Sequence, residues 1–356
     1  SPPSHGIATR IIGSVVFRCT LIAARLLGNA LFMFIRLLKV LFFLAFIGSH
    51  ASINANDGPN PTGVHSTARA EPTIESLAVE GPYNVERLRE TDGLRDGPRY
   101  RGATIYYPPE TSHPLASVVV VPGWGSSERS IQGWGPFFAS HGIVTMTIGT
   151  NNPPKDFPKD RADALVDAIA TLAAENTREE SPIFQRLDLS RIAVSGWSMG
   201  GGGAQLAAVQ NPTLKAAIGL CPWHEPGGIF NHAVPLLIIG GENDRRAPFN
   251  EHGLTHYCTT PSTTPKLLFE VRGAGHWVAN GPKGIYRDTG NGDVGRIALA
   301  WLKVFLVGDE RYRKFLLTEP ESASRFETNI RGLMVSNIAS YNSVDANSVC
   351  DTLDNL

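Results

Sequence analysis

Gly196-Trp197-Ser198-Met199-Gly200 carries the spacing Gly-x-Ser-x-Gly, between an apolar run at 191–195 and the small-residue run Gly201-Gly202-Gly203-Ala204. A chain that leaves a strand, turns sharply and enters a helix needs tiny residues around the serine, because larger ones would strike strand or helix. Such a turn lifts the hydroxyl to the head of a helix, where free N–H groups and the helix dipole favour developing negative charge. A serine hydroxyl is a weak nucleophile until a base takes its proton. With this turn, the acid and then the histidine should follow the serine along the chain. Gly240-Gly241-Glu242-Asn243-Asp244 follows the apolar run 235–239, and Arg272-Gly273-Ala274-Gly275-His276 follows the run 266–271. Both therefore lie just past a predicted strand's C-terminal end, where parallel sheets place their ligands. Asp244 is the expected acid, with Glu242 as the alternative, and His276 is the expected base. His224, His232, His252 and His256 lack this context and read as surface or core residues.

Ser198, His276 and Asp244 would suit acyl transfer, which also needs donors aimed at an oxyanion. The N–H of Met199 is one candidate. The N–H of Trp124 is the other, turned toward the site by Gly123 after the strand at 117–121. Trp124, Trp197, Trp223 and Trp277 fall in these same loops, whereas Trp134 and Trp301 fall in predicted helices. Four indoles around one centre suggest an aromatic cleft for a hydrophobic acyl group, bound by burial and ring stacking. Trp197 is the most ambiguous of the four, because it would serve equally as a packing residue under the turn.

The elements that must position these groups alternate in type. Strands are expected at 102–107, 117–121, 143–148, 191–195, 214–220, 235–239 and 266–271, several of them wholly apolar, as strands buried on both faces are. Helices are expected at 134–141, around 162–173, where apolar residues recur every three or four positions, and at 294–306. The alternation implies an α/β fold with a mostly parallel central sheet and helices on both faces. There is no second hydrophobic core to build a large lid domain, so 74–317 reads as one catalytic domain. The polar 318–356 reads as a C-terminal extension and 52–73, rich in Asn, Gly, Pro, Ser and Thr, as a linker.

Of 356 residues, 32 are Lys or Arg and 33 Asp or Glu, a near-neutral balance that argues against a nucleic-acid partner. Residues 1–51 hold Arg10, Arg18, Arg25, Arg36 and Lys39 and no acid. The apolar run 40–47, followed by Ser49-His50-Ala51, fits a signal peptide whose preceding basic region is unusually long. An uncleaved membrane tether through 11–47 is the alternative, although its internal arginines would be costly in a bilayer. Either reading places the rest outside the cytoplasm, secreted, periplasmic or anchored. The four cysteines lack the paired spacings of a zinc site, and neither a metal nor a cofactor is expected.

The motifs as a set resemble the bacterial cutinase-like polyester hydrolases, including poly(ethylene terephthalate) hydrolases, in the dienelactone-hydrolase-like branch of the α/β-hydrolases. The likeness runs over roughly 58–315. It is carried by Gly58-Pro59-Asn60-Pro61-Thr62, Gly81-Pro82-Tyr83, Ala103-Thr104-Ile105-Tyr106-Tyr107-Pro108, Pro122-Gly123-Trp124, Trp134-Gly135-Pro136 and Ala139-Ser140-His141-Gly142. Gly196-Trp197-Ser198-Met199 with its four glycines, Pro222-Trp223, Glu242-Asn243-Asp244 and Gly275-His276 continue it. The resemblance implies Ser198, His276 and Asp244 as nucleophile, base and acid, and Trp124 and Met199 as oxyanion donors. It also implies Trp223 as a stacking residue and a secreted, cofactor-free hydrolase of cutin, short-chain esters or polyesters, expected to be a monomer. Three departures stand out. Trp124 replaces the family's usual Tyr or Phe, and Trp277 replaces a small residue or Phe; both could narrow the cleft. The family's C-terminal disulfide is missing, with Leu317 near one expected cysteine. Cys258 and Cys350 could pair instead in an oxidising compartment. Cys221 reads as a buried thiol, and the long loop 281–293 beside the base as a wall of the site. The alternatives are a small-ester or lipid esterase without polymer activity, or a catalytically silent tethered binding protein.

Overall fold

Leu115–Val121 (β3) is a row of seven buried residues, so neither of its faces meets water. A strand of that kind must be central, and it pairs in parallel on both sides. Val119 lies opposite Met146 of β4 (Val144–Ile148) and opposite Val194 of β5 (Leu187–Trp197). The computed structural model describes residues 71–111, 114–284, 290–331 and Cys350. The expected targeting segment, nearly all of the linker, and parts of the 281–293 loop and of the C-terminal extension lie outside the described residues.

The sheet has nine strands in the order β1-β2-β4-β3-β5-β6-β7-β8-β9. The remaining six are β1 (Glu86–Arg89), β2 (Ala103–Tyr107), β6 (Ala216–Leu220), β7 (Leu236–Gly241), β8 (Lys266–Val271) and β9 (Ala323–Thr328). From β4 to β8 every neighbour is parallel, whereas β1, β2 and β9 join the two margins antiparallel. This is the α/β-hydrolase architecture expected from the sequence, with an antiparallel margin on each side.

Alternate residues of β3 serve different faces, as strand geometry requires. Val118 and Val120 join a core with Trp134 and Phe137 of α2 (Trp134–Ser140) and Ile297 and Trp301 of α6 (Asp293–Leu302). Leu77, the buried residue of α1 (Ile74–Ala78), packs there too. Val119 and Val121 join the opposite core, with α3 (Pro158–Glu175), α4 (Met199–Gln210) and α5 (Gly253–Thr259).

The sequence reading placed 318–356 outside the catalytic domain, but part of that stretch belongs to the sheet. β9 pairs with β8, Phe326 opposite Phe269. Its sequence, Ala-Ser-Arg-Phe-Glu-Thr, is polar because an edge strand covers a neighbour on one side only. Cys350 is bonded to Cys258 in α5, tying a residue near the chain's end to the domain.

Candidate active site

The β5–α4 junction decides the position of the serine. Gly196 and Gly200 meet there so closely that a Cβ on Gly196 would lie 2.0 Å from the Gly200 carbonyl oxygen, and one on Gly200 would lie 2.4 Å from the Val121 carbonyl oxygen. Ser198 takes φ 59° and ψ −124°, a conformation that costs a non-glycine residue backbone strain. The surroundings hold it there. Its N–H donates to the Leu220 carbonyl at 2.8 Å, and its own carbonyl accepts from the N–H groups of Gly201 at 2.8 Å and Trp223 at 2.9 Å.

His276, in the loop after β8, meets this hydroxyl with Nε2 2.9 Å from Ser198 Oγ. Its Nδ1 lies 2.7 Å from Asp244 Oδ2. A carboxylate only accepts, so the neutral imidazole carries its proton on Nδ1 and offers Nε2 as acceptor to the serine hydroxyl. Asp244 is held in turn, its Oδ1 accepting from the backbone N–H groups of Arg246 and Ala247, each at 2.9 Å. Asp244 and His276 are buried, whereas Ser198 is partly exposed. Of the two carboxylates considered, Asp244 reaches the imidazole. Glu242 is exposed and accepts instead from the Gly273 N–H at 2.6 Å.

The loop after β3 approaches the serine closely. A Cβ on Gly123 would fall 2.7 Å from Ser198 Cβ and 3.2 Å from its Oγ. Trp124 follows, 56% exposed, its Nε1 donating to the Pro154 carbonyl at 2.9 Å. Met199 opens α4, so its N–H is among the four at a helix start with no partner inside the helix.

The four loop tryptophans divide. Trp223 is partly exposed, with its ring 5.7 Å from that of His252 and 6.4 Å from that of Phe157. Trp197, expected as a possible cleft residue, is only 3% exposed and is not a cleft wall. It points into the core because alternate residues of β5 face opposite ways. Its Nε1 donates to the His276 carbonyl at 3.0 Å, which makes it a positioning residue for the imidazole. Trp277 packs against Trp197, ring centres 4.8 Å apart, and lies behind the histidine, joined to the same core. Cys221 is buried, as the sequence suggested, but its place beside Asp244 and His276 was not expected. Nothing in its spacing announces that contact, which arises because β6 and β7 are neighbours.

A family model described as PET hydrolase-like matches residues 52–332. The chain belongs to the PET hydrolase-like family. Within the family, Cutinase 2 of Thermobifida cellulosilytica is 37% identical over 263 residues, covering 74% of this chain and 91% of its own. Cutinase cut1 of Thermobifida fusca is 37% identical over 272 residues, 76% of this chain and 77% of its own. A bis(hydroxyethyl) terephthalate hydrolase of Streptomyces coelicolor is 34% identical over 282 residues, 79% of this chain and 83% of its own. The relatives are carboxylic-ester hydrolases by name, and as a PET hydrolase-like chain this protein is an enzyme of that class.

Proposed function

We propose that the chain is a secreted serine esterase that cleaves hydrophobic or aromatic esters, including polyesters, through an acyl-enzyme on Ser198. The observation that carries this reading is the Ser198–His276–Asp244 relay at 2.9 and 2.7 Å, on a strained serine at a helix start. The substrate class is drawn from the relatives named as cutinases and as a bis(hydroxyethyl) terephthalate hydrolase.

His276 Nε2 takes the hydroxyl proton as Ser198 Oγ attacks the ester carbonyl, and Asp244 stabilises the imidazolium that forms. The N–H groups of Trp124 and Met199 donate to the oxyanion, whose charge grows as the tetrahedral intermediate forms. His276 then returns the proton to the leaving alkoxide, and a water repeats both steps on the acyl-enzyme. The exposed ring of Trp124 and the partly exposed ring of Trp223 flank the acyl group, with Trp277 and Trp197 behind the histidine. The chemistry requires no metal or cofactor.

Export rests on the expected signal in 1–51 and on the Cys258–Cys350 bond, which belongs in an oxidising compartment. Among the described residues no helix is long and apolar enough to cross a membrane. Labelling by a fluorophosphonate, mapped to Ser198, together with hydrolysis of nitrophenyl esters and of polyester films, tests the reading. Labelling with release of soluble product from films is the expected result. Labelling and nitrophenyl ester turnover with no film release would leave a small-ester esterase, and no labelling at all would sink the proposal.

A further inference from the structure

Three side chains of different chemistry, a thiol, a carboxylate and an imidazole, converge beneath the serine. One ligand atom from each of Cys221, Asp244 and His276 lies within 4.8 Å of the others, and all three residues are buried. The position of the thiol is imposed by the fold. Cys221 directly follows β6 in the left-handed region, at φ 43°, where a side chain other than glycine is strained. Its N–H donates to the Ile239 carbonyl of β7 at 2.6 Å, and the turn after it is closed by the Trp223 N–H on the Ser198 carbonyl at 2.9 Å. The neighbouring strand β7 delivers Asp244 from its C-terminal end. Cys258 and Cys350 are committed to a disulfide, so this thiol is not drawn into that pair.

Sulfur, imidazole nitrogen and carboxylate oxygen form the ligand set of zinc and its heavier congener cadmium. In a tetrahedral site such donors stand roughly 3.5 Å apart, given metal–ligand bonds of about 2.0–2.3 Å. The Asp244–His276 contact of 2.7 Å would open slightly to admit the ion, and all three donor atoms already lie within 4.8 Å of one another. We infer that Cys221, Asp244 and His276 form a site for a single thiophilic divalent cation, of the zinc and cadmium class, whose binding silences the enzyme.

The atoms account for the inhibition. The cation displaces the thiol proton, which leaves to solvent, and bonds to sulfur, to a carboxylate oxygen and to Nδ1. The proton that Nδ1 held moves to Nε2. An imidazole protonated at Nε2 has no lone pair there to accept the Ser198 proton. The fourth coordination position remains for water. Binding rests only on the three ligands, whereas its effect on turnover also rests on the proposed role of His276, so the two are measured separately.

Binding is measured on the full chain with Cd²⁺ as the probe, by equilibrium dialysis and by the ultraviolet charge-transfer band of cadmium–thiolate bonds. One high-affinity equivalent, with the band and release of one proton, is the expected result. Both Cys221→Ser and Cys221→Ala should lose the band while keeping the nitrophenyl ester turnover of the wild type, and two variants guard against one that fails to fold. Cys19 is retained in all of them, so a band lost with Cys221 reports this site. No band in the wild type, or a band that persists in Cys221→Ser, would overturn the site. Turnover should fall at stoichiometric Cd²⁺ and return with a chelator in the wild type, and should be unaffected in Cys221→Ser. A bound cation that left turnover unchanged would overturn the silencing while locating the fault in the assignment of His276 as the base.

Discussion

In the proposed mechanism, Ser198, His276 and Asp244 differ in what their removal costs. Ser198→Ala and His276→Ala should each lower kcat by roughly six orders of magnitude, and Asp244→Ala by about four, because a misoriented imidazole still accepts some protons. Near-normal turnover in His276→Ala, measured with a soluble nitrophenyl ester, would disprove the assignment of the base. Gly123 offers a subtler check. A methyl group there falls 2.7 Å from Ser198 Cβ, so either the loop carrying the Trp124 N–H or the serine must shift. Displacement of reacting groups by about 1 Å costs on the order of 100-fold, so Gly123→Ala should lower kcat by that factor with a smaller change in KM. Trp197 and Trp223 are both loop indoles near the serine in the sequence, Trp197 the more ambiguous of the two. Burial separates them, one under the imidazole and one beside the cleft.

At the scale of elements, the interior was legible and the two edge strands, β1 and β9, were not. β6 and β7 are continuous apolar runs, and β3 and β8 are dominated by apolar residues, because both faces of a central strand are covered, and such runs stand out in a sequence. β1 (Glu-Arg-Leu-Arg) buries only Leu88, and β9 has only Ala323 fully buried, so neither shows the pattern of a buried strand. The short helix α5 was also missed, though its Cys258 anchors the disulfide. That bond joins residues 92 apart, and closing so long a loop in the unfolded chain is worth about 4–5 kcal/mol. Cys258→Ser should therefore lower Tm by roughly 10 °C in a thermal melt without reducing agent. An unchanged Tm would mean that the bond constrains little of the unfolded chain.

For the molecule as a whole, acid sensitivity follows from its buried histidines. Burial pushes His232 down to about 4, and does the same to His141, where Lys303 adds to the effect. His252 is also held at about 4, mainly by burial and then by His224 beside it, and burial pushes the enclosed His256 well below its ordinary value. These rings stay neutral in the fold, but in the unfolded chain they take up protons below about 6.5. The unfolded state then binds more protons, so stability is lost as pH falls below about 6.5, and the share owed to His141, His232 and His252 is fully lost only below about 4. Tm measured across this window should decline steadily, and His256→Gln should make the decline shallower by about one proton's worth. A Tm independent of pH between 6.5 and 4 would contradict the burial of these rings.

Local chemistry was sufficient for the sequence to determine the serine turn, the order serine, acid, histidine, the alternation of strand and helix, and membership of a hydrolase family. Each depends on residues adjacent in the chain, on periodicity within one element, or on the order of motifs along the chain. Tertiary structure alone decided which carboxylate reaches the imidazole, which tryptophans face the cleft, that Cys258 pairs with Cys350, and that Cys221 lies against the acid and base. Those facts depend on which strands are neighbours and on the handedness of the turns between them. Side chains from Ser198, Cys221, Asp244 and His276 meet only when four parallel strands end at one edge of the sheet, a distance relation that spacing along a chain does not encode.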